Sequence, residues 1–285
     1  MTRNAVFLIR TADRKGLVAQ ITGFFACRDL NILSCRQYTD VLEQKYYMRI
    51  AVELPAGLTK AELESEFAKL AAELELSYSV HYSGEVQNVA VMVSKTSHCL
   101  YDLLTNSEEN LLGGGRVTLV IGNHPELEEV AEKFRVPFYC CPLKESGDEK
   151  QEAQVMDLLE RHRIDLVVLA RYMRVLSDNF ISRYPERIIN IHHAFLPAFM
   201  GGNPYQRAWE RGVKMIGATA HYATADLDEG PIIEQDVERI THESLPEELR
   251  QRGRDIERRV LTRAVRAHLE HRVITSGRRT IVFSV

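Results

Sequence analysis

The 285-residue chain sets 36 Lys and Arg against 40 Asp and Glu, a formal net charge of -4, with 45% hydrophobic, 27% charged and 8% aromatic residues, the balance of an ordinary globular protein. That composition excludes a disordered, collagen-like or low-complexity chain, and a slightly acidic balance offers no broad electrostatic handle for nucleic acid or anionic lipid. No apolar run reaches the roughly 18 residues of a membrane span, and the start carries neither a signal h-region nor a small-residue cleavage site. A cytoplasmic protein with no membrane and no nucleic-acid partner is expected.

The length fits two domains, each able to bury a core of its own. Five cysteines, Cys27, Cys35, Cys99, Cys140 and Cys141, form an odd set without C-x-x-C spacing. They read as small buried hydrophobes, not as a disulfide framework or a Cys-type zinc site.

Taken in chain order, hydrophobic periodicity predicts a strand over residues 5–10, an amphipathic helix over 17–28, a strand pair over 32–40 and 46–54, a helix over 60–74 and a strand over 76–82. That order, βαββαβ, is the ferredoxin-like split motif. Leu63, Phe67, Leu70 and Leu74 recur at helical spacing and lay one apolar stripe against a sheet. The link Ser83-Gly84-Glu85 closes this unit, so the domains are expected at 1–84 and 85–285.

Beyond the link, strands alternate with helices, as in a parallel sheet covered on both faces. Strands are expected at 89–93, 116–121, 136–139, 165–170 and 187–191, and helices at 100–107, 126–134 and 149–161. Two more strands follow at 214–222 and 232–239, then a long charged helix to about residue 270, opened by Ser244 with Glu247 three positions on as a capping box. No internal repeat is present.

The densest polar constellation sits where a strand ends, at Asn190-Ile191-His192-His193. Strand side chains alternate faces, so Asn190 and His192 share one side and His193 takes the other, which argues against a paired-histidine metal site. Ligands of open α/β sheets bind at the carboxyl ends of strands; the alternative is a pair of polar residues that cap a loop. A second constellation begins at His221, near the end of a later strand, and continues with Asp226, Asp228 and Glu229 in the loop to the next strand, whose exit Gly230-Pro231 marks. Its spacing lacks the ligand series of a calcium loop, leaving a functional carboxylate or a solvated acidic turn. An amide, an imidazole and a carboxylate of raised pKa together suit acyl-group chemistry without a metal.

Four stretches carry a family resemblance: N-I-H-H-x-F-L-P from Asn190, G-x-x-P-Y at 201–205, G-A-T-A-H-Y at 217–222 and L-D-x-G-P-I-I at 227–233. Together they resemble the folate-dependent formyltransferase fold, and most closely the formyltetrahydrofolate deformylases, over nearly the whole chain. The resemblance implies a Rossmann-like catalytic domain behind an ACT domain. It implies Asn190, His192 and Asp228 as the catalytic set, and Met173, Arg174, Val175, Leu176, His221, Asp226 and Gly230 around the folate. Met173 and Leu176 read equally well as core residues from sequence alone, whereas an Arg174 is rarely buried unpaired.

The implied reaction is hydrolysis of 10-formyltetrahydrofolate to tetrahydrofolate and formate, with no cofactor, supplying formate to one-carbon metabolism and purine biosynthesis. The alternatives are a formyltransferase with another acceptor and an inactive folate- or amino-acid-binding module. The turn 94–100, Ser-Lys-Thr-Ser-His-Cys-Leu, has no glycine; it resembles the deformylase branch and not the glycine-rich phosphate loop of the related transferases. Gly113-Gly114-Gly115 precedes a strand and reads as a connection. In the first domain, Asp13, Lys15, Gly16 and Leu17 resemble the ACT junction where an amino-acid effector binds; an ordinary helix-opening turn is the alternative. ACT units imply a homo-oligomer. Thr11-Ala12 and Ala194 depart from the Cys-Pro and Ser that the family generally carries there.

Overall fold

In the computed structural model, residues 3–142, 148–197 and 204–284 are described. The chain divides into two compact units. One runs to Glu85 and also takes in Glu270–Ser276 and the residues from Ile281 on; the other spans Val86–Leu269 with Gly277–Thr280.

The first unit follows the expected order: β1 (Arg3–Ala12), α1 (Leu17–Ala26), β2 (Ile32–Asp40), β3 (Lys45–Leu54), α2 (Lys60–Glu73) and β4 (Ser77–Tyr82). The strands form an antiparallel sheet in the order β2-β3-β1-β4. Alternation along β1 and β3 sends Phe7, Ile9, Met48, Ile50 and Val52 to the face that both helices cover. Phe67 of α2 stacks into this layer, its ring centroid 4.6 Å from that of Phe7. The start of α2 is fixed by a capping box, Thr59 with Glu62.

The second unit is built on seven strands in the order β11-β10-β9-β8-β5-β6-β7. In chain order its elements are β5 (Gln87–Val93), α3 (His98–Glu108), β6 (Gly115–Gly122), α4 (Glu128–Lys133), β7 (Phe138–Cys140), α5 (Asp148–Arg161) and β8 (Leu166–Ala170). They continue with α6 (Asp178–Arg183), β9 (Ile188–His192), α7 (Pro204–Glu210), β10 (Met215–Tyr222), β11 (Ile232–Arg239) and α8 (Pro246–Leu269). Strands β5 to β9 pair in parallel; β10 and β11 join antiparallel. All five residues of β8 are buried, as expected for a central parallel strand covered on both faces. Helix α8 begins at Pro246, a residue type suited to the first helical position, so Ser244 does not flank it and the expected capping box is out of register. Helices α6 and α7, six and seven residues long, were too short to leave a periodic signal in the sequence.

After α8 the chain forms two short strands, β12 (Val273–Ser276) and β13 (Arg279–Val282), which sequence periodicity did not reveal because each is four residues long. Ile274 and Phe283 are buried with Tyr47, and Leu8 and Ile281 pack around them. Tyr47 Oη lies 2.5 Å from Ser276 Oγ, and Arg49 donates to the carbonyls of His271 (2.9 Å) and Glu270 (3.2 Å). The expected division, which gave everything from residue 85 onward to the second domain, therefore differs from the compact units: the last residues cover the outer face of the first sheet. Phe283→Ala is expected to destabilise the first unit by about 3 kcal/mol, the low end of the range for buried Phe truncation. An unchanged denaturant midpoint would show that this face needs no cover.

Candidate active site

Register brings the polar constellation together. Antiparallel β10 places His221 opposite Asn190 and Thr219 opposite His192, so residues from two strands share one face. Asn190 Nδ2 donates to His221 Nε2 at 3.2 Å, and the other ring nitrogen, Nδ1, lies 2.9 Å from the carbonyl of Tyr222. A ring nitrogen that faces a carbonyl must carry the hydrogen, which leaves Nε2 as the acceptor for the amide. Below His192, Thr219 Oγ1 donates to the Ala194 carbonyl (2.9 Å) and accepts from Leu196 N–H (3.1 Å) and Gln235 Nε2 (2.9 Å). This hydroxyl, completely buried, fixes the turn that leaves the strand.

Asp228 enters from the loop between β10 and β11. Its φ of 57° is left-handed, a conformation Asp tolerates better than bulkier residues but which still costs energy. The loop closes on itself through Thr224 Oγ1 to the Asp226 carbonyl (3.0 Å) and returns past Gly230, where a Cβ would stand 1.7 Å from the Tyr222 carbonyl oxygen. So directed, Asp228 Oδ2 lies 3.2 Å from His192 Nδ1 and Oδ1 lies 3.6 Å from His221 Nε2. Hydrogen bonding from His192, with the His221 ring beside it, outweighs partial burial and holds the carboxyl well below the usual carboxylate range. The expected raised pKa is thereby corrected: the carboxylate is stabilised as an anion. His192 Nε2, on the far side of its ring, is buried and has no hydrogen-bond partner among the described residues.

A cavity of about 360 Å³ opens beside these groups. Asn190, His192, His221 and Asp228 form its polar end, and Met173, Arg174, Val175 and Leu176 form a wall. Met173, Val175 and Leu227, which line it, are 61%, 63% and 62% exposed, apolar surface of the kind that marks a binding site for an apolar or aromatic group. Leu176, by contrast, belongs chiefly to the core.

Several expected residues lie elsewhere. Asp226 is exposed and does not line the cavity, and Gly230 shapes the loop without lining it. His193 does line the cavity, contrary to the strand-alternation argument. It lies one residue beyond β9, where the alternation ends, and its ring stacks on His192 at 5.0 Å and 14°. Arg171, Tyr172 and Leu227 also line the cavity; the only sequence signal for the first two was their place directly after a buried strand. Residues 201–203 of the G-x-x-P-Y stretch lie outside the described residues. In the first unit, Asp13, Lys15 and Gly16 are exposed on the β1–α1 turn, with Gly16 at φ 91°. Leu17 is buried in the core and cannot face an effector. No helix among the described residues is long and apolar enough to cross a membrane.

Residues 87–265 match the family model described as formyl transferase. The chain is 45% identical to the formyltetrahydrofolate deformylase of Synechocystis sp. over 98% of both chains. Among solved structures, it is similar to a formyltetrahydrofolate deformylase from Pseudomonas syringae pv. tomato, with a TM-score of 0.95 and 38% identity over 100% of this chain and 95% of the other. It also resembles glycinamide ribonucleotide transformylase 1 from Symbiobacterium toebii, with a TM-score of 0.66 and 31% identity over 72% of this chain and 97% of the other.

The pairing of His192 with Asp228 is testable without an activity assay. In His192→Ala, the largest influence that keeps the Asp228 carboxyl low is gone, so its titration midpoint, read from the side-chain 13C signal, should move up toward the ordinary carboxylate value. His193→Ala should leave it in place. The reverse ranking would show that the ring facing Asp228 has been misassigned.

Proposed function

The chain belongs to the formyltetrahydrofolate deformylase family, and from that premise we propose how its own residues perform the reaction. The enzyme hydrolyses 10-formyltetrahydrofolate to tetrahydrofolate and formate. The observation that carries the residue assignment is the His192–Asp228 pair, which shares with Asn190 and His221 the lining of a cavity that also exposes Met173, Val175 and Leu227. The flat pterin lies along the Met173–Leu176 wall, and the formyl group reaches Asn190 and His192.

Water adds to the formyl carbon and the carbonyl oxygen becomes an oxyanion. Asn190, which uses one amide hydrogen on His221, has a second to donate to it. His192, its charge stabilised through Nδ1 by ionised Asp228, sets a cation beside it; such preorganised groups stabilise charge that appears only in the transition state. Asp228 is the one carboxylate among the described residues that line the cavity, so it relays the proton lost by water to N10 as the C–N bond breaks. Formic acid then ionises, and the balance is one water consumed and one proton released. No step calls for a metal or redox group.

The first unit, with the exposed turn Asp13-Arg14-Lys15-Gly16, is assigned as a regulatory domain that takes a small amino acid and pairs copies of the chain in a homo-oligomer. The enzyme works in the cytoplasm, where the formate it releases enters one-carbon metabolism and purine biosynthesis.

Purified protein given 10-formyltetrahydrofolate alone should release formate. Formate that appeared only after an amine acceptor was added would instead favour a transferase. Asp228→Asn keeps the shape but removes the relay, so kcat should fall by about 10² to 10⁴ with KM little changed. Near wild-type turnover in that variant would remove Asp228 from the mechanism.

A further inference from the structure

A second buried cluster, which the reaction does not use, stands in the same unit. Glu257 of α8 has a side chain only 1% exposed. It accepts from Tyr205 Oη at 2.7 Å on one oxygen, lies 2.8 Å from His98 Nε2 on the other, and has Arg171 Nε at 3.6 Å. Burial works against its charge, but His98, Arg171 and Tyr205 together hold the carboxyl below its ordinary value. His98, Cys99 and Glu257 bring ligating atoms within 4.8 Å of one another. A cation site is nonetheless disfavoured, because both carboxylate oxygens are engaged and the Arg171 guanidinium already brings positive charge.

The three partners come from three separate stretches. His98 opens α3 after the glycine-free turn, Tyr205 ends the G-x-x-P-Y stretch, and Arg171 follows β8 in the left-handed conformation, φ 61°. Gly253, one turn before Glu257, makes the cluster possible: a Cβ there would stand 2.1 Å from Tyr205 Oη. Glycine is disfavoured inside a helix, and here it gives Tyr205 the room to reach the carboxylate.

Arg171 is also where the cavity wall begins. Its Nε and Nη1 are buried without a hydrogen-bond acceptor among the described residues, so the cation is held by charge and not by ideal geometry. From it run Tyr172 to Leu176, anchored again by Met173 N–H to Ser94 Oγ (3.1 Å) and by Ser177, whose N–H donates to Glu152 Oε1 (2.7 Å).

We propose that Glu257 is a positioning residue for the folate site: by holding Arg171, and through Tyr205 the start of α7, it fixes the Tyr172–Leu176 wall against which the pterin packs. This rests on the assignment of that wall to substrate binding. Glu257 touches no reacting atom, so its loss acts on binding and leaves the chemical step in place.

Glu257→Gln keeps the volume and removes the charge that holds Arg171. It should raise KM for 10-formyltetrahydrofolate at least tenfold with kcat within about threefold, and should weaken tetrahydrofolate binding, measured by fluorescence titration, by a similar factor. Glu257→Gln combined with Arg171→Gln removes both charges and should recover thermal stability while KM stays high, which separates positioning from stability. Should Glu257→Gln fail to fold, Tyr205→Phe removes one hydrogen bond and should still raise KM two- to fivefold. A folded Glu257→Gln or Tyr205→Phe protein with wild-type KM, or with kcat reduced and KM unchanged, would overturn the proposal. A wild-type protein that releases no formate would refute the proposed reaction instead, and the tetrahydrofolate titrations would still decide the role of Glu257.

Discussion

Asp228 Oδ2 sits 3.2 Å from His192 Nδ1 and Oδ1 sits 3.6 Å from His221 Nε2, and the form of three chain segments follows from that pair of contacts. The two imidazoles must stand side by side, which requires β10 to run antiparallel to β9 in the register that sets His221 opposite Asn190. The carboxylate must reach back over both rings, which requires the loop after β10 to turn sharply. That turn is made by a left-handed Asp228 and by Gly230, the one residue type that fits against the Tyr222 carbonyl. The register between β10 and β11 slips between Ala220 and His221, beside the same group; irregularities of this kind are common next to active sites.

The electrostatic consequence runs in one direction. A carboxyl held below its ordinary value by the hydrogen bond from His192 and the His221 ring beside it contributes stability above its unfolded pKa, and that contribution is lost as the pH falls through the folded value. Across the neutral range Asp228 is therefore an anion, suited to supporting positive charge on His192 more than to removing a proton from resting water. Proton transfer to it becomes favourable only as the attacking water gains acidity in the transition state. The apolar mouth formed by Met173, Val175 and Leu227 complements this polar end: a ligand with a flat ring and an acyl group can occupy both.

Much of this was legible in the sequence, for identifiable reasons. The βαββαβ order showed because periods of two and 3.6 residues are local properties, and Asn190 with His192 showed because i, i+2 residues share a strand face. As a site residue His221 entered only through the family resemblance, and its partnership with Asn190 depends on a cross-strand register that no local pattern encodes. Asp226, Asp228 and Glu229 were indistinguishable as carboxylates in one loop; backbone conformation selects Asp228. Leu17 looked like part of a ligand turn because it follows Gly16, yet it is the first core residue of α1. The C-terminal strands were missed because four residues carry too little periodicity, and the cover they give Tyr47 and Leu8 is a tertiary fact.

What distinguishes the His192–Asp228 pair from the His98–Glu257 pair is which atoms remain unsatisfied. In His192–Asp228 the ring is anchored on one side and its other nitrogen is buried without a partner among the described residues, an unsatisfied group of the kind that calls for a functional explanation. In His98–Glu257 both carboxylate oxygens are engaged, so the pair has nothing to offer a ligand. Buried ion pairs seldom add net stability over apolar side chains of similar size, and this one also carries a left-handed arginine with unmatched N–H groups and a glycine inside a helix. Stability alone does not account for so many local concessions; fixing the position of the segment that begins at Arg171 does, since that segment lines the same cavity as Asn190 and His192.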